Sequence, residues 1–234
     1  MISVCMATFN GERYITQQLS SILQQLNVED EVIVVDDNSS DETLARISEI
    51  DDSKVKIIEN QTNIGPIKSF EKAILNSHGS IVFLSDQDDL WMANKVSDVM
   101  KAFMDPQVMM VVHDAIVTDK DLNTVNESWN HYNGNHFSAG LGSVVLKNKF
   151  TGSMMAFRRS IETKVLPFPA EIPMHDWWIA VVCLQEHYKI VALPAKLMKY
   201  RRHDSSVTGH GHNFFKMLKG RYQLIISLLA LRRE

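Results

Sequence analysis

Residues 84–91 read LSDQDDLW, so three carboxylates, Asp86, Asp88 and Asp89, stand directly behind the apolar run Ile81–Leu84. Like charges this close repel and gain nothing from packing. Two carboxylates one residue apart at a strand end can, however, share one hard divalent cation. Mg2+ and Mn2+ favour oxygen ligands and commonly complete their shells with substrate phosphates. The plainer reading is a solvated acidic turn. Asp36 and Asp37 close a second apolar run, VIVV, and Thr8 and Asn10 follow a third, ISVCMA. Other chemistries lack their motifs: there is no G-x-x-x-x-G-K-[ST], no G-x-G-x-x-G behind the first apolar run, no H-E-x-x-H and no G-x-S-x-G.

Whatever these acids do, a regular alternation of elements must carry them. ISVCMAT reads as a buried strand, and Ile15, Leu19, Ile22, Leu23 and Leu26 then recur at helical spacing. EVIVVDD is a second strand, followed by Ser39-x-x-Glu42, a capping-box pattern opening a helix with Leu44 and Ile47. VKII precedes a helix with Ile67, Phe70 and Ile74; IVFL precedes one with Val96, Val99, Met100 and Phe103. This repetition predicts an α/β fold, a Rossmann-like, mostly parallel sheet with helices on both faces. Such sheets bind ligands beyond the carboxyl ends of their strands, which is where Thr8, Asn10, Asp36, Asp37, Asp86, Asp88 and Asp89 all fall.

The pattern loosens after VMMVVH at 108–113, and residues 114–149 read as a long irregular connection. FTGSMMAF, a short helix, and a helix opening at His175-Asp176 behind Pro173 follow; KIVAL and LMKYRRH read as two further strands. The expected organisation is one domain over 1–209, with a first half at 1–113 and a second at 114–209, and a helical tail at 210–234. The tail mixes Phe214, Phe215, Leu218, Leu224, Ile225 and Leu228 with Lys216, Lys219, Arg221, Arg232 and Arg233. It reads as a terminal helix packed on its own domain or as a basic amphipathic helix at a membrane surface.

The 234 residues are 45% hydrophobic and 22% charged, which excludes global disorder, and the net charge of −4 excludes a general nucleic-acid binder. Cys5 and Cys183 stand alone in apolar contexts and read as reduced, buried thiols. With no signal-peptide pattern and no spanning apolar run, the expected location is the cytoplasm, at the inner face of the membrane if the tail binds there.

VCMATFNGERYITQQLSSIL, VVDDNSSDET, NIGPIKSF, FLSDQDD, MHDWW and YRRH occur in this order. Together they resemble the family 2 glycosyltransferases, and among them the bacterial rhamnosyltransferase type that builds surface polysaccharide. The resemblance spans roughly residues 1 to 209. It implies a GT-A fold, a nucleotide-diphosphate sugar donor (UDP- or dTDP-linked), Mg2+ or Mn2+, a glycan or lipid-linked glycan acceptor, and inversion at the sugar. By position, Thr8, Asn10, Asp37 and Lys68 fall on the nucleotide side, with Asp37 accepting from the base. Asp86 lies by ribose and metal, and Asp88 is the direct metal ligand. Asp176 corresponds to the general base, although a simple helix cap is the plainer reading. His175, Trp177 and Trp178 fall on the acceptor side. Arg201 and Arg202 lie by the diphosphate, and His203 is a candidate for the metal shell. His210 and His212 sit in a Gly-bearing stretch that suggests a lid. Two other readings stay open here: a metal-dependent phosphoryl-transfer enzyme, and a nucleotide-sugar-binding domain without turnover.

Overall fold

The computed structural model describes residues 1–135, 140–203 and 214–231. Strand β1 (Ile2–Thr8) lies inside the sheet because it is apolar on both sides. Successive strand residues face opposite ways, and both faces are covered. Cys5, Ile33, Val35, Val82 and Leu84 enter one core; Val4, Met6, Val32, Val34, Ile81 and Phe83 enter the other. Parallel to β1 run β2 (Glu31–Asp36), β3 (Val55–Glu59) and β4 (Ile81–Ser85). The connecting helices α1 (Ile15–Leu23) and α2 (Thr43–Ser48) cover one face, and α3 (Pro66–Leu75) covers the other. The two-residue β5 (Leu90–Trp91) and α4 (Lys95–Ala102) follow.

Beyond β4 the sheet becomes mixed. Its order is β3-β2-β1-β4-β8-β6-β9-β5. β8 (Met155–Arg158) runs antiparallel between β4 and β6 (Val108–Thr118), while β9 (Lys189–Arg201) lies parallel to β6 and β5 caps it antiparallel. The expected parallel sheet is thus the β3-β2-β1-β4 half. The boundary expected at residue 113 falls inside β6.

Three local expectations are corrected. β6 continues through Asp114 to Thr118, because the Asp114 carboxylate is satisfied within the chain, accepting from Ala115 N–H, Asn130 N–H and the Ser128 hydroxyl. A buried but satisfied acid hides the apolar period. KIVAL and LMKYRRH are one strand, β9; the pairing with β6 slips between His113↔Leu193 and Asp114↔Lys196, which accommodates Pro194, a residue with no N–H for the ladder. The capping box does not form: α2 starts at Thr43 with no side-chain cap, and Ser39 Oγ instead donates to Asp36 Oδ2 at 2.6 Å.

The 114–149 connection carries β7 (Thr124–Asn126), paired with β6, and two short helices, α5 (Trp129–Asn133) and α6 (Leu141–Leu146). After β8 come α7 (Glu162–Val165) and α8 (His175–Gln185). α8 shows no apolar stripe because Trp178–Cys183 are all buried, so every side of that segment is apolar. The final helix α9 (Phe214–Leu231) packs Leu224 and Leu228 into the same core as α8. Among the described residues no helix is long and apolar enough to cross a membrane. Both cysteines are free and buried, and burial pushes their thiols up to about 12.

Candidate active site

The carboxyl ends of β1, β2 and β4, the start of α8 and the end of β9 open on one cavity of about 1230 Å3. Thr8, Asn10, Asp37, Asp86, Asp88, His175, Asp176, Arg201, Arg202 and His203 all line it. Residues from opposite ends of the chain therefore meet at the rim the sequence indicated.

The acid turn is held by neutral and cationic donors that leave two of its carboxylates at the cavity. Gln87 ties it to the end of β1: its Oε1 accepts from the Thr8 hydroxyl and from Phe9 N–H at 2.9 Å, and its Nε2 donates to Phe9 O at 3.0 Å. A Cβ on Gly11 would meet Gln87 Oε1 at 2.3 Å, so any larger residue here would push the Gln87 amide off this contact. Gln18 Nε2 donates to Asp86 O at 3.2 Å, and Arg201 Nε donates to Asp88 O at 2.8 Å. Asp89 turns inward and accepts Arg201 N–H on Oδ1 at 3.1 Å. Its Oδ2 is buried with no hydrogen-bond partner.

The charges beneath the turn are uneven. Burial, then Asp88 and Asp176, raise Asp86 to about 7. Burial and the same turn's acids hold Asp89 well above the usual carboxylate range. The opposing cation is Lys95, fully buried, donating to Ser153 O at 2.6 Å and lying 4.1 Å from the Trp91 ring centroid. Burial lowers Lys95 to about 7, against the pull of Asp89 and Asp86.

At the open side, His203 Nε2 and Asp88 Oδ2 are 2.6 Å apart. Among the described residues no group of three His, Cys, Asp or Glu side chains is preassembled as a cage for a metal. Asp88, the His203 imidazole and Asp86 nonetheless offer oxygen and nitrogen donors to this cavity. That set fits a divalent cation shared with ligand oxygens, the usual shell of Mg2+ or Mn2+. Asp88, His203 and Asp86 are the residues that could hold it.

At the ends of β1 and β2, Asn10 adopts φ +50 and bridges β1 to the 36–40 turn, accepting Ser40 N–H on Oδ1 at 2.9 Å. Asp37 accepts from Asn60 Nδ2, Ile64 N–H and Gly65 N–H at 2.8, 2.9 and 2.8 Å. It thereby pins the Asn63-Ile64-Gly65 turn, and Oδ2 retains room for one more donor. Lys68 is corrected: it lies on the exposed face of α3, paired with Glu71 at 3.0 Å, and does not line the cavity. Arg201 lines it but is committed to the protein, donating to Asp88 O, Lys120 O and Gln17 Oε1 and lying over Tyr14. Arg202 donates to the Tyr132 hydroxyl.

On the opposite wall, Asp176 Oδ1 accepts from Asn148 Nδ2 and Trp177 N–H, and Oδ2 accepts from Gly152 N–H. Burial raises this carboxyl to about 6 despite those three bonds. His175 is stacked on Phe70 at 4.1 Å, with neither ring nitrogen hydrogen-bonded, and burial lowers it to about 3, so it is neutral. Trp177 and Trp178 are corrected. Neither lines the cavity; their indole N–H groups anchor α8 to Val144 O and Val165 O. His210 and His212 lie outside the described residues.

Lys95, Gln18, Asn148 and Gly152 carry no signal in the sequence that marks them for this site. A single lysine in a helix and a single asparagine in a polar stretch look like solvated residues.

Residues 3–166 match the family model described as Glycosyl transferase family 2. The chain belongs to glycosyl transferase family 2. This family 2 chain is 28% identical over 217 residues to an uncharacterised glycosyltransferase of Nostoc sp., covering 88% of this chain and 66% of that one. It is 27% identical over 221 residues to the dTDP-rhamnosyl transferase RfbG of Shigella flexneri, covering 89% and 75%. In structure it resembles Staphylococcus aureus TarS 1–349 in complex with UDP-GlcNAc, with a TM-score of 0.74 at 20% identity over 96% of this chain and 66% of that one. It also resembles the mannosyltransferase PcManGT of Pyrobaculum calidifontis in complex with GDP-Man and Mn2+, with a TM-score of 0.70 at 21% identity over 98% and 64%. The fold is the GT-A type with a C-terminal helix. The chain spans about two thirds of the length of several of these proteins. Family membership sets aside the phosphoryl-transfer reading.

The raised Asp86 has a consequence for stability. Its folded value of about 7 lies above that of an unfolded carboxylate, about 3.9. The folded state therefore holds its proton more tightly, and stability present at low pH is lost as pH rises through the folded value. Without divalent metal, Asp86→Asn is expected to melt higher than the wild type at pH 8 and to narrow that advantage at pH 5. Thermal unfolding in EDTA checks this; an equal difference at both pH values would contradict it.

Proposed function

We propose that this chain transfers a sugar from a UDP- or dTDP-linked donor to a hydroxyl of a growing glycan, with inversion, in the synthesis of bacterial surface polysaccharide. The observation that carries the reading is the division of one cavity between two kinds of acid. Asp88 meets His203 at 2.6 Å in the turn that also carries Asp86, and a hydrogen-bonded, buried Asp176 with its carboxyl raised to about 6 lines the same cavity from the start of α8. The dTDP-rhamnosyl transferase named among the relatives supports rhamnose as a candidate sugar.

Mg2+ or Mn2+, which Asp88, His203 and Asp86 would hold, would supply positive charge to offset that of a departing diphosphate. The chain does the rest. Thr8 and Asn10 shape the pocket behind β1, and Asp37 accepts from the base imide N–H. Asp176 takes the proton of the acceptor hydroxyl while that oxygen bonds to C1 of the sugar. The C1–oxygen bond to the diphosphate breaks, and its electron pair leaves with the nucleoside diphosphate. A base with a pKa of about 6 is well placed, being mostly ionised near neutrality yet basic enough to share a proton in the transition state. The rate should therefore rise with pH through about 6 as Asp176 ionises. Arg202 lines the cavity beside Tyr132 and is the cation assigned to the diphosphate in this proposal.

The remaining share of the reading concerns place. α9 exposes Leu218, Tyr222, Ile225, Ile226 and Leu229 along one side while Leu224 and Leu228 pack inward. Residues 214–231 carry Lys216, Lys219 and Arg221 and no acid. This second apolar face, beside which Lys219 pairs with Glu171 at 3.8 Å, suits peripheral contact with a bilayer at the cytoplasmic side, where a lipid-linked glycan acceptor would lie.

Two experiments test the proposal. UDP and dTDP should raise the melting temperature only with Mn2+ or Mg2+ present, and Asp88→Ala should abolish that shift. Asp176→Asn should keep the shift and lose turnover by roughly a hundredfold or more. Retained turnover in Asp176→Asn, or an intact metal-dependent shift in Asp88→Ala, would overturn the assignment. For the tail, co-sedimentation with phosphatidylglycerol vesicles should fall sharply in Ile225→Asp/Leu229→Asp; equal sedimentation of variant and wild type would exclude α9 as the contact.

A further inference from the structure

The base proposed above has two oxygens, and the surrounding hydrogen bonds treat them differently. Asp176 Oδ1 accepts from Asn148 Nδ2 at 3.1 Å and from Trp177 N–H at 2.6 Å. Oδ2 accepts from Gly152 N–H at 3.1 Å. A carboxylate oxygen offers two in-plane acceptor positions; Asn148 and Trp177 take both on Oδ1 and Gly152 one on Oδ2, with the Asp176 N–H close to the same carboxyl. The Asn148 amide is itself fixed, because its Oδ1 accepts Phe150 N–H at 3.0 Å, which turns the amide nitrogen toward Asp176. The segment from 148 to 152 can come this close to the start of α8 only with glycine at its end. A Cβ on Gly152 would meet His175 Nε2 at 2.9 Å and Asp176 Cβ at 3.5 Å.

We infer that Asn148 is a positioning residue for the transfer: it occupies Oδ1 of Asp176, so that Oδ2 is the atom that receives the acceptor's proton. This rests on the reading of Asp176 as base. The acceptor O–H proton passes to Oδ2, the acceptor oxygen bonds to C1, and the C1–oxygen electron pair leaves with the nucleoside diphosphate. The residue has no contact with the reacting atoms; it acts through Asp176. It also favours the charged form, since a donor to a carboxylate stabilises the anion. The titratable groups around Asp176 are Asp86, whose charge couples to it, and His175, kept neutral by burial.

Carbon-13 NMR titration of the aspartate carboxyls reads the base directly, with the Asp176 signal assigned by its loss in Asp176→Asn. Asn148→Ala should move the Asp176 midpoint up by about half a unit to one unit. Asn148→Asp keeps the acceptor for Phe150 N–H but sets a second carboxylate against Oδ1, and should move it further. In UDP release from UDP-glucose with Mn2+, the rising limb of the pH profile should shift with the midpoint, kcat below the limb should fall roughly tenfold, and the donor KM should hold. An unmoved midpoint, or a uniform loss of kcat with an unmoved limb, overturns the inference. Full turnover in Asp176→Asn overturns the base itself. Where UDP-glucose gives no turnover in the wild type, the carboxyl titration decides, so failure of the donor and failure of Asn148 remain distinguishable.

Discussion

Everything at the carboxyl end of this sheet answers to one constraint, the cost of gathering carboxylates where water is scarce. Asp86, Asp88 and Asp89 occupy one turn, Asp176 couples to Asp86 across the cavity, and burial raises three of the four. Such an arrangement survives only with compensation. Part of it comes from within the chain. Lys95 is buried beneath the turn, and Arg201 binds the turn through its own N–H and its guanidinium. The deficit that remains faces the cavity, at Asp88 and His203, which is where an incoming cation and diphosphate would relieve it.

Arg201 joins this constraint to the fold. It ends β9, the long strand that runs beside β6, and its guanidinium reaches Asp88 O, Lys120 O and Gln17 Oε1. One side chain thereby locks the acid turn to α1 and to the β6–β7 connection. His203, two residues further on, is delivered to Asp88 by the same strand end. On the far side, Asp176, the base of the proposal, is placed by different means. It sits at the start of a buried helix whose two indoles anchor it to neighbouring backbone, and a short loop ending in Gly152 supplies the contacting amide. The acid turn and Asp176 thus rest on separate supports, although their charges couple across the cavity.

The parts of this arrangement legible in the sequence were those with a repeating physical signature. Alternating apolar runs and helical periods located β1 to β4 and the rim, and the acids behind them located the turn. Signals failed where a polar residue is satisfied locally or a side chain's surroundings come from distant segments. Asp114 looked like the end of a strand because its partners, Ser128 and Asn130, lie in another element. Trp177 and Trp178 were expected on the acceptor side because the N–H bonds that tie them to Val144 O and Val165 O involve residues distant in the chain. Lys68 and Lys95 illustrate the same limit in opposite directions: the lysine expected at the site is solvated, and the one overlooked is buried beneath it.

The central claim is that the acid turn with His203 is a cation site completed by the nucleotide, separate from the base. Electron paramagnetic resonance of added Mn2+ tests it most directly, by following free metal as protein and UDP are titrated. The account predicts weak Mn2+ binding alone, markedly tighter binding with UDP, loss of both in Asp88→Ala, and neither lost in Asp176→Asn. Mn2+ binding that ignores UDP, or that vanishes in Asp176→Asn while persisting in Asp88→Ala, would contradict it.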